Sequence, residues 1–123
     1  MKYCSCLTIL LLGFLLGCSD EKINLSGCHH GKVILLNGCS AESLISVKSD
    51  LPIGKKITID NIEYSNVIKV PGLINKGSIY FTIRDFNRDA DFALFTPYIE
   101  CFYVKNYDVP LYVITAYNTS NCP

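Results

Sequence analysis

The sequence has no surplus of charge of either sign. Its 11 Lys and Arg residues are balanced by 11 Asp and Glu residues, so the formal net charge is zero. A nucleic-acid-binding domain needs a basic patch or stripe that meets the phosphate backbone, and anionic lipid surfaces likewise attract basic segments. The charge balance therefore argues against nucleic acid as a partner and against membrane attachment through a basic surface.

Helical periodicity and long apolar runs are also lacking. No extended window repeats apolar residues at the helical period of about 3.6 residues. The longest uncharged apolar stretch, Leu7 to Leu16, is soon followed by Asp20, Glu21 and Lys22, whereas a membrane-spanning helix needs about 20 apolar residues. The sequence therefore predicts neither a helical bundle nor a transmembrane anchor.

The N-terminal residues have the layout of an export signal. Lys2 supplies a positive charge, Leu7 to Leu16 form the apolar segment, and Leu15-Leu16-Gly17-Cys18 ends it, as a secretory signal peptide requires. The last four residues resemble the lipobox of bacterial lipoproteins. That resemblance implies removal of residues 1–17 as a signal peptide, acylation of Cys18 with palmitate-like chains, and a lipid anchor in the membrane. An ordinary cleaved signal peptide is the alternative, but it usually ends in an Ala-x-Ala-like site.

The residues after Cys18 indicate where such a lipoprotein resides. In enteric-type sorting, an Asp directly after the lipidated cysteine favours retention in the inner membrane, and here that position is Ser19. We therefore expect the outer membrane. Ser19-Asp20-Glu21 also resembles the serine-plus-acidic signal of some surface-exported lipoproteins, and a polar tether without a sorting role is the competing interpretation. Whether the domain faces the periplasm or the cell surface stays open.

Behind the signal peptide, the chain is predicted to consist of a tether and one β domain. Residues 18–27 are the lipidated cysteine and a polar tether, and residues 28–123 form a single domain. The clearest strand is Ser78–Asp85, because apolar and polar residues alternate along it. The other predicted strands are Lys32–Asn37, Leu44–Lys48, Lys56–Asp60, Val67–Val70, Tyr98–Val104 and Val109–Tyr117.

These short strands predict an all-β fold with two possible architectures. One is a small closed β-barrel with a C-terminal hairpin extension. It resembles the OB type in its strand order and in the strong strand that begins after Gly77. The other is a two-sheet β-sandwich.

Cysteine pairing is the second constraint on the fold. Four cysteines remain in the domain: Cys28, Cys39, Cys101 and Cys122. An even number in an exported domain predicts two disulfides. The strand Lys32–Asn37 would separate Cys28 from Cys39 by more than the roughly 4.4–6.8 Å between Cα atoms that a disulfide tolerates. The strand Val109–Tyr117 separates the other two in the same way. Both bridges are therefore expected to join the N-terminal pair to the C-terminal pair, with the choice between the two pairings open.

One segment has the spacing of a calcium loop. Its candidate ligands are Asp85, Asn87, Asp89 and Asp91, because oxygens at alternate positions can converge on a hard cation. The segment resembles the start of an EF-hand loop, but Ala90 stands where that loop needs Gly, and strands flank it instead of helices. A solvated connector between strands is the alternative. No other cofactor is expected.

Tyrosines supply the candidate binding surface. Tyr80 and Arg84 lie on the polar face of the clearest strand, and Tyr98, Tyr103 and Tyr112 follow in the C-terminal third. Tyrosine offers contact area at low entropy cost together with a hydroxyl group, so exposed clusters mark recognition surfaces. The alternative is that these side chains only cover the faces and edges of the sheet.

The sequence contains no clear catalytic signature. Its two histidines, His29 and His30, are adjacent, which does not suggest a base oriented by a third group, and the cysteines are expected to be oxidised. We therefore expect no enzyme. The sequence predicts an envelope lipoprotein that acts as a binding or structural module, with an envelope protein or a glycan as its partner. An inhibitor of an envelope enzyme, similar to lysozyme inhibitors, is the first alternative, and a hydrolase is the second.

Overall fold

Six strands in one antiparallel sheet make up the fold. The structure is a computed structural model that describes residues 22–95 and 105–123. The strands are β1 His29–Asn37, β2 Glu42–Val47, β3 Lys55–Ile59, β4 Ile62–Pro71, β5 Gly77–Asp85 and β6 Tyr112–Asn118. A short helix, α1 Arg88–Asp91, and a 3-10 turn, Phe92–Leu94, follow β5. The predicted all-β class is confirmed.

The sheet curls around its inner face. Its strand order is β3-β4-β2-β1-β5-β6. The part of β4 that extends beyond β3 also meets the chain just before β6, where Lys69 and Leu111 form one parallel bridge. There the Lys69 amide donates a hydrogen bond of 2.9 Å to the Pro110 carbonyl. β4, which lies next to the edge strand β3, thus touches the opposite end of the sheet at one point.

The predicted closed barrel is wrong, because among the described residues a single bridge, from β4 to Leu111 just before β6, is all that joins these two parts of the sheet. β4 ends at Pro71, which has no amide hydrogen to donate, and Gly72 redirects the chain with a φ of 92°. The two-sheet sandwich is not formed either, since all the described strands lie in one sheet. The predicted hairpin extension needs Tyr98–Val104, which lies outside the described residues.

The main core lies on the inner face of the sheet. Ile79, Phe81 and Ile83 of β5 are buried, as their alternation predicts. They pack with Val33, Ile45, Val47, Ile53, Ile68, Val70 and Ile74. Gly31 of β1 permits this packing, because a Cβ atom there would lie 2.9 Å from Ile45 Cγ2 and 3.2 Å from Phe81.

A second apolar cluster covers part of the outer face. It consists of Leu44, Ile59, Val67 and Val109, with Tyr107 packed against them. Val109 and Tyr107 belong to the segment before β6, which crosses the outer face of β4. Polar contacts hold this segment in place: the Lys69 ammonium donates to the Tyr107 carbonyl over 3.3 Å, and Lys55 pairs with Asp108 at 2.9 Å.

A disulfide joins the two ends of the domain. Cys28 and Cys122 are bonded, with an S–S distance of 2.03 Å and Cα atoms 5.8 Å apart. The predicted pairing of Cys28 with a C-terminal cysteine is confirmed. Cys39 is also disulfide-bonded. Its predicted partner is Cys101, which lies outside the described residues, so that pairing stays a prediction.

β1 and β4 begin three or more residues before their predicted starts, whereas β6 begins at Tyr112, three residues after its predicted start at Val109. β1 begins at His29, three residues before the predicted start at Lys32. β4 is one continuous strand from Ile62, because the turn before it is completed within Asp60 and Asn61. Both residues have positive φ, 49° and 64°, as in the two-residue hairpin turns that match strand twist.

Candidate binding surface

Four side chains lie together on the part of the outer face that the Tyr107–Val109 segment does not cover. They are Lys32, Lys48, His30 and Tyr80, and we call them the cationic face. His30 is opposite Tyr80 on the neighbouring strand, and the Lys48 amide donates to the His30 carbonyl at 2.8 Å. Opposed residues in a sheet project from the same side, so Tyr80 on β5 and His30 on β1 form a row that Lys48 continues directly after the end of β2. Lys32 is two residues along β1 from His30.

The centre of this row is a fixed pair of rings. The His30 and Tyr80 rings stack with centroids 4.5 Å apart and planes inclined by 14°. The neighbouring His29 points to the inner side, where it is 5% exposed and a ring nitrogen lies 3.2 Å from the Leu25 carbonyl oxygen. The two histidines therefore lie on opposite faces, as adjacent residues of a strand must.

The charges of the cationic face are unopposed within the described ranges. Lys32 and Lys48 are exposed, and neither forms an ion pair there. The ion pairs that the described residues form are Lys55–Asp108, Lys56–Glu63 and Arg84–Asp91. The surface around His30 and Tyr80 is thus positively charged, although the whole chain is neutral.

Arg84 does not add its charge to this surface, because it is paired with Asp91. Arg84 Nη1 and Nη2 donate to the two carboxylate oxygens of Asp91, each at 2.7 Å. The Asn87 amide donates to the same carboxylate at 2.8 Å. These hydrogen bonds lower the pKa of Asp91 from 3.8 to about 2, and the bond from Arg84 has the largest effect. Burial acts in the opposite direction and raises this pKa.

Tyr112 also lies away from Tyr80. It packs against the inner core, and its hydroxyl donates to the Ile53 carbonyl at 3.1 Å. Burial, together with the negative charge of Asp85, raises the pKa of this phenol. Arg84 and Tyr112 therefore do not extend the exposed surface around Tyr80, and a binding role for them stays a prediction. Tyr98 and Tyr103 lie outside the described residues, as does Cys18.

The calcium loop is not assembled in the structure. Asn87 caps α1, accepting hydrogen bonds from the amides of Asp89 and Ala90, while Asp91 faces Arg84. Asp85 and Asp89 are exposed. Across residues 22–95 and 105–123, no group of three or more His, Cys, Asp or Glu side chains is placed to hold a metal ion.

Two open grooves lie elsewhere on the surface. The larger has a volume of about 540 Å³ and runs between the chain at Pro71–Ile74 and the edge of β6 at Ile114–Tyr117. Leu73 and Tyr117 are exposed at its rim. The smaller, about 290 Å³, lies beside Asn66. The larger groove opens where the contact between β4 and β6 ends.

Sequence reasoning predicts Tyr80 as a surface residue but misses its partners. His30, Lys32 and Lys48 join it only because β1 begins at His29 and pairs with β2 and β5 at that level. The available signal is the pattern of His30 and Lys32 at alternate positions, flanking Gly31.

Comparison of the sequence with protein-family models and with curated proteins finds no match. No helix in the described ranges is long and apolar enough to span a membrane.

Proposed function

We propose that this chain is a lipoprotein of the bacterial cell envelope, resident in the outer membrane and anchored through acylated Cys18. The lipobox resemblance of Leu15-Leu16-Gly17-Cys18 supports the anchor. The Cys28–Cys122 bond supports export, because disulfides persist in oxidising compartments. Residues 22–28 contain no helix or strand, which suits a tether between the anchor and the sheet. The domain faces either the periplasm or the cell surface.

The proposed activity is binding, and the observation that carries it is the cationic face. Its side chains project from β1, from β5 and from the residue directly after β2, and each of these strands is hydrogen-bonded to a strand on both sides. The sheet fixes the backbone and the stacked rings of His30 and Tyr80, so the conformational entropy lost on binding is mainly that of the two lysine side chains. The proposal includes no catalysis: His29 is buried against the core, and His30 is stacked on Tyr80.

The proposal extends to the fold type. The neighbours β4-β2-β1-β5-β6, with one parallel contact from β6 back to β4, are similar to the partly open five-stranded barrel of the OB type. Compared with that five-stranded barrel, β3 is an additional strand, which forms a hairpin with β4. The gap between β4 and β6 is then the open side of the barrel.

An inhibitor of an envelope enzyme is the second candidate. It is favoured by the groove of about 540 Å³ between Pro71–Ile74 and Ile114–Tyr117. Leu73 and Tyr117 expose apolar surface there, next to a strand whose outer edge is not paired along these described residues. An open strand edge can accept a segment of a partner protein.

Capture from envelope extract tests the proposed function. The mature protein, immobilised through a tag after Pro123, is compared with a variant that carries Lys32→Gln and Lys48→Gln. The binding module predicts a partner that the wild type retains and the variant loses. Retention of one enzyme by both proteins, with loss of its activity, favours the inhibitor. Retention of nothing, or turnover of an envelope substrate by the protein alone, contradicts the proposal.

A further inference from the structure

We propose that the cationic face binds a short acidic saccharide, a chain of sugar rings that carries carboxylate groups. This inference rests on the proposed binding function and names the class of its ligand. Charge complementarity is the first argument for it. Lys32 and Lys48 are exposed and free of ion pairs in the described part of the chain, and an unpaired ammonium forms strong, charge-assisted hydrogen bonds with an anionic group such as a carboxylate.

Lys32 and Lys48 project from neighbouring backbone positions that one ligand can span. Lys32 lies opposite Ser46 on β2, and Lys48 follows two residues later, directly after β2 ends at Val47. Diagonal neighbours of this kind are roughly 7–8 Å apart. Two carboxylates on one short oligosaccharide can match that spacing.

His30 and Tyr80 supply what a sugar needs besides charge. The imidazole and the phenol carry polar hydrogens, and no side-chain hydrogen bond within the described ranges uses either group. The stacked rings also offer apolar surface beside those hydrogens, and half-buried aromatic rings lose little entropy on binding. Sugar hydroxyls and ring carbons are complementary to this combination.

Two other anionic ligands fit less well. An extended acidic peptide gains affinity by adding a strand to an open sheet edge, but β1, β2 and β5 are interior strands without such an edge. Anionic lipid is recognised by clusters of about four to eight Lys and Arg residues, and the cationic face has two. Of these three ligand classes, the acidic saccharide is the one that two lysines and two stacked rings suit best.

Titration of the mature protein, kept in a neutral detergent, with trigalacturonate tests the proposal. The expected result is saturable binding that weakens as salt is added, because salt screens exposed charges, with NMR shifts at His30 and Tyr80. Maltotriose, which lacks carboxylates, should bind about tenfold more weakly or worse. Equal binding of maltotriose, or shifts confined to other residues, would overturn the proposal.

A pair of double variants separates this face from charge in general. Lys32→Gln with Lys48→Gln should weaken trigalacturonate binding about tenfold or more. Lys56→Gln with Lys105→Gln removes the same charge from β3 and from the chain beside Asn37, at the other end of β1, and should change binding less than about twofold. An equal loss in both would show a nonspecific effect. Tyr80→Phe keeps the ring and should cost about threefold through its lost hydroxyl, with an unchanged melting temperature as the check on folding.

Two further probes distinguish the ligand class. Glycerol phosphate stands for a lipid headgroup and a poly-aspartate peptide for an acidic protein segment. Tighter binding of either than of trigalacturonate would overturn the saccharide. If the cationic face captures an envelope partner but does not bind trigalacturonate, the saccharide inference fails and the binding function stands. If nothing is captured, the function itself fails.

Discussion

Arg84 holds Asp91 by two parallel hydrogen bonds of 2.7 Å across the turn that ends β5. Asp91 is 3% exposed, so these hydrogen bonds replace most of the water around its carboxylate. Asn87 starts α1 by capping it and also donates its amide to Asp91. In the acidic segment, Asp91 is therefore held by Arg84 and by the Asn87 amide.

Replacement of Asp91 should destabilise the domain in a pH-dependent way. The pKa of Asp91 is lowered from 3.8 to about 2 on folding, so its ionised form stabilises the fold. That contribution is complete above the unfolded pKa and is lost as the pH falls from about 4 to about 2. Asp91→Asn should lower the melting temperature at pH 7 by roughly 5 °C and flatten its decline below pH 4, as followed by circular dichroism.

Asp89→Asn is the matched control for this experiment. Asp89 lies on the same helix and is exposed, and among the described residues its carboxylate makes no ion pair. Its removal should change the melting temperature by less than about 2 °C. Similar losses in the two variants would mean that the bond between Arg84 and Asp91 contributes nothing specific.

Substitution of Gly31 should cost more than substitution of Gly38. A Cβ atom on Gly31 would lie 2.9 Å from both Ile45 Cγ2 and the Ser46 carbonyl oxygen, whereas one on Gly38 would meet nothing within 4 Å. Overpacking of this kind costs about 1–3 kcal/mol. Urea unfolding should show that loss for Gly31→Ala and less than about 0.5 kcal/mol for Gly38→Ala. Equal values would mean that β1 and β2 can separate freely.

Asn66 should contribute to stability through both its backbone and its side chain. Its φ is 53°, its amide oxygen accepts from the Gly54 amide at 2.7 Å, and its amide nitrogen donates to the Leu51 carbonyl at 3.0 Å. Asn66→Ala should cost about 2–3 kcal/mol in urea unfolding.

A second substitution separates the two effects at this site. Asn66→Gly tolerates the positive φ and should lose only the hydrogen bonds, at about 1–2 kcal/mol. The exposed Asn75 is the control position. If Asn66→Gly and Asn66→Ala lose the same stability, the backbone conformation at Asn66 carries no cost.

Peptide mapping without reduction should find two bridges. Cys28–Cys122 closes a sequence separation of 94 residues, and Cys39–Cys101 is the predicted second bond. In the chain-entropy model a loop as long as the first contributes about 4.5 kcal/mol, so reduction should lower the melting temperature strongly. A peptide linking Cys39 to Cys28 or to Cys122 would contradict the pairing.

The alternation of apolar and polar residues along the sequence predicts much of the sheet. It identifies β5, because Ile79, Phe81 and Ile83 occupy every second position and form one buried face. A shift of the strand register by one residue would expose all three. Distance along the strands predicts that Cys28 bonds to a C-terminal cysteine, but it leaves the choice between Cys101 and Cys122 open. Such arguments work where one physical constraint acts on neighbouring residues.

Other features depend on contacts that the sequence does not reveal. β1 begins at His29 because Gly31 packs against Ile45 and Phe81, and glycine itself disfavours a strand. The sheet does not close, because β4 ends at Pro71 and Gly72, with a φ of 92°, redirects the chain. The spacing of Asp85 to Asp91 suggests a cation site, but Asn87 followed by Asp89 and Asp91 also has the pattern of a capped helix start. In the structure Asn87 caps α1, and Arg84 binds the Asp91 carboxylate. The pairing of Asp91 with Arg84 is a contact that the spacing alone does not reveal.

The central claim, that this chain is an envelope protein anchored through Cys18, is tested most directly by metabolic labelling with an alkyne analogue of palmitate. The wild type should carry the label and separate with the outer membrane. Cys18→Ala should be unlabelled and keep residues 1–17, because acylation of the sulfur precedes cleavage in lipoproteins, while Cys28→Ser should remain labelled. Equal label in the wild type and Cys18→Ala, or no label in the wild type, would contradict the claim.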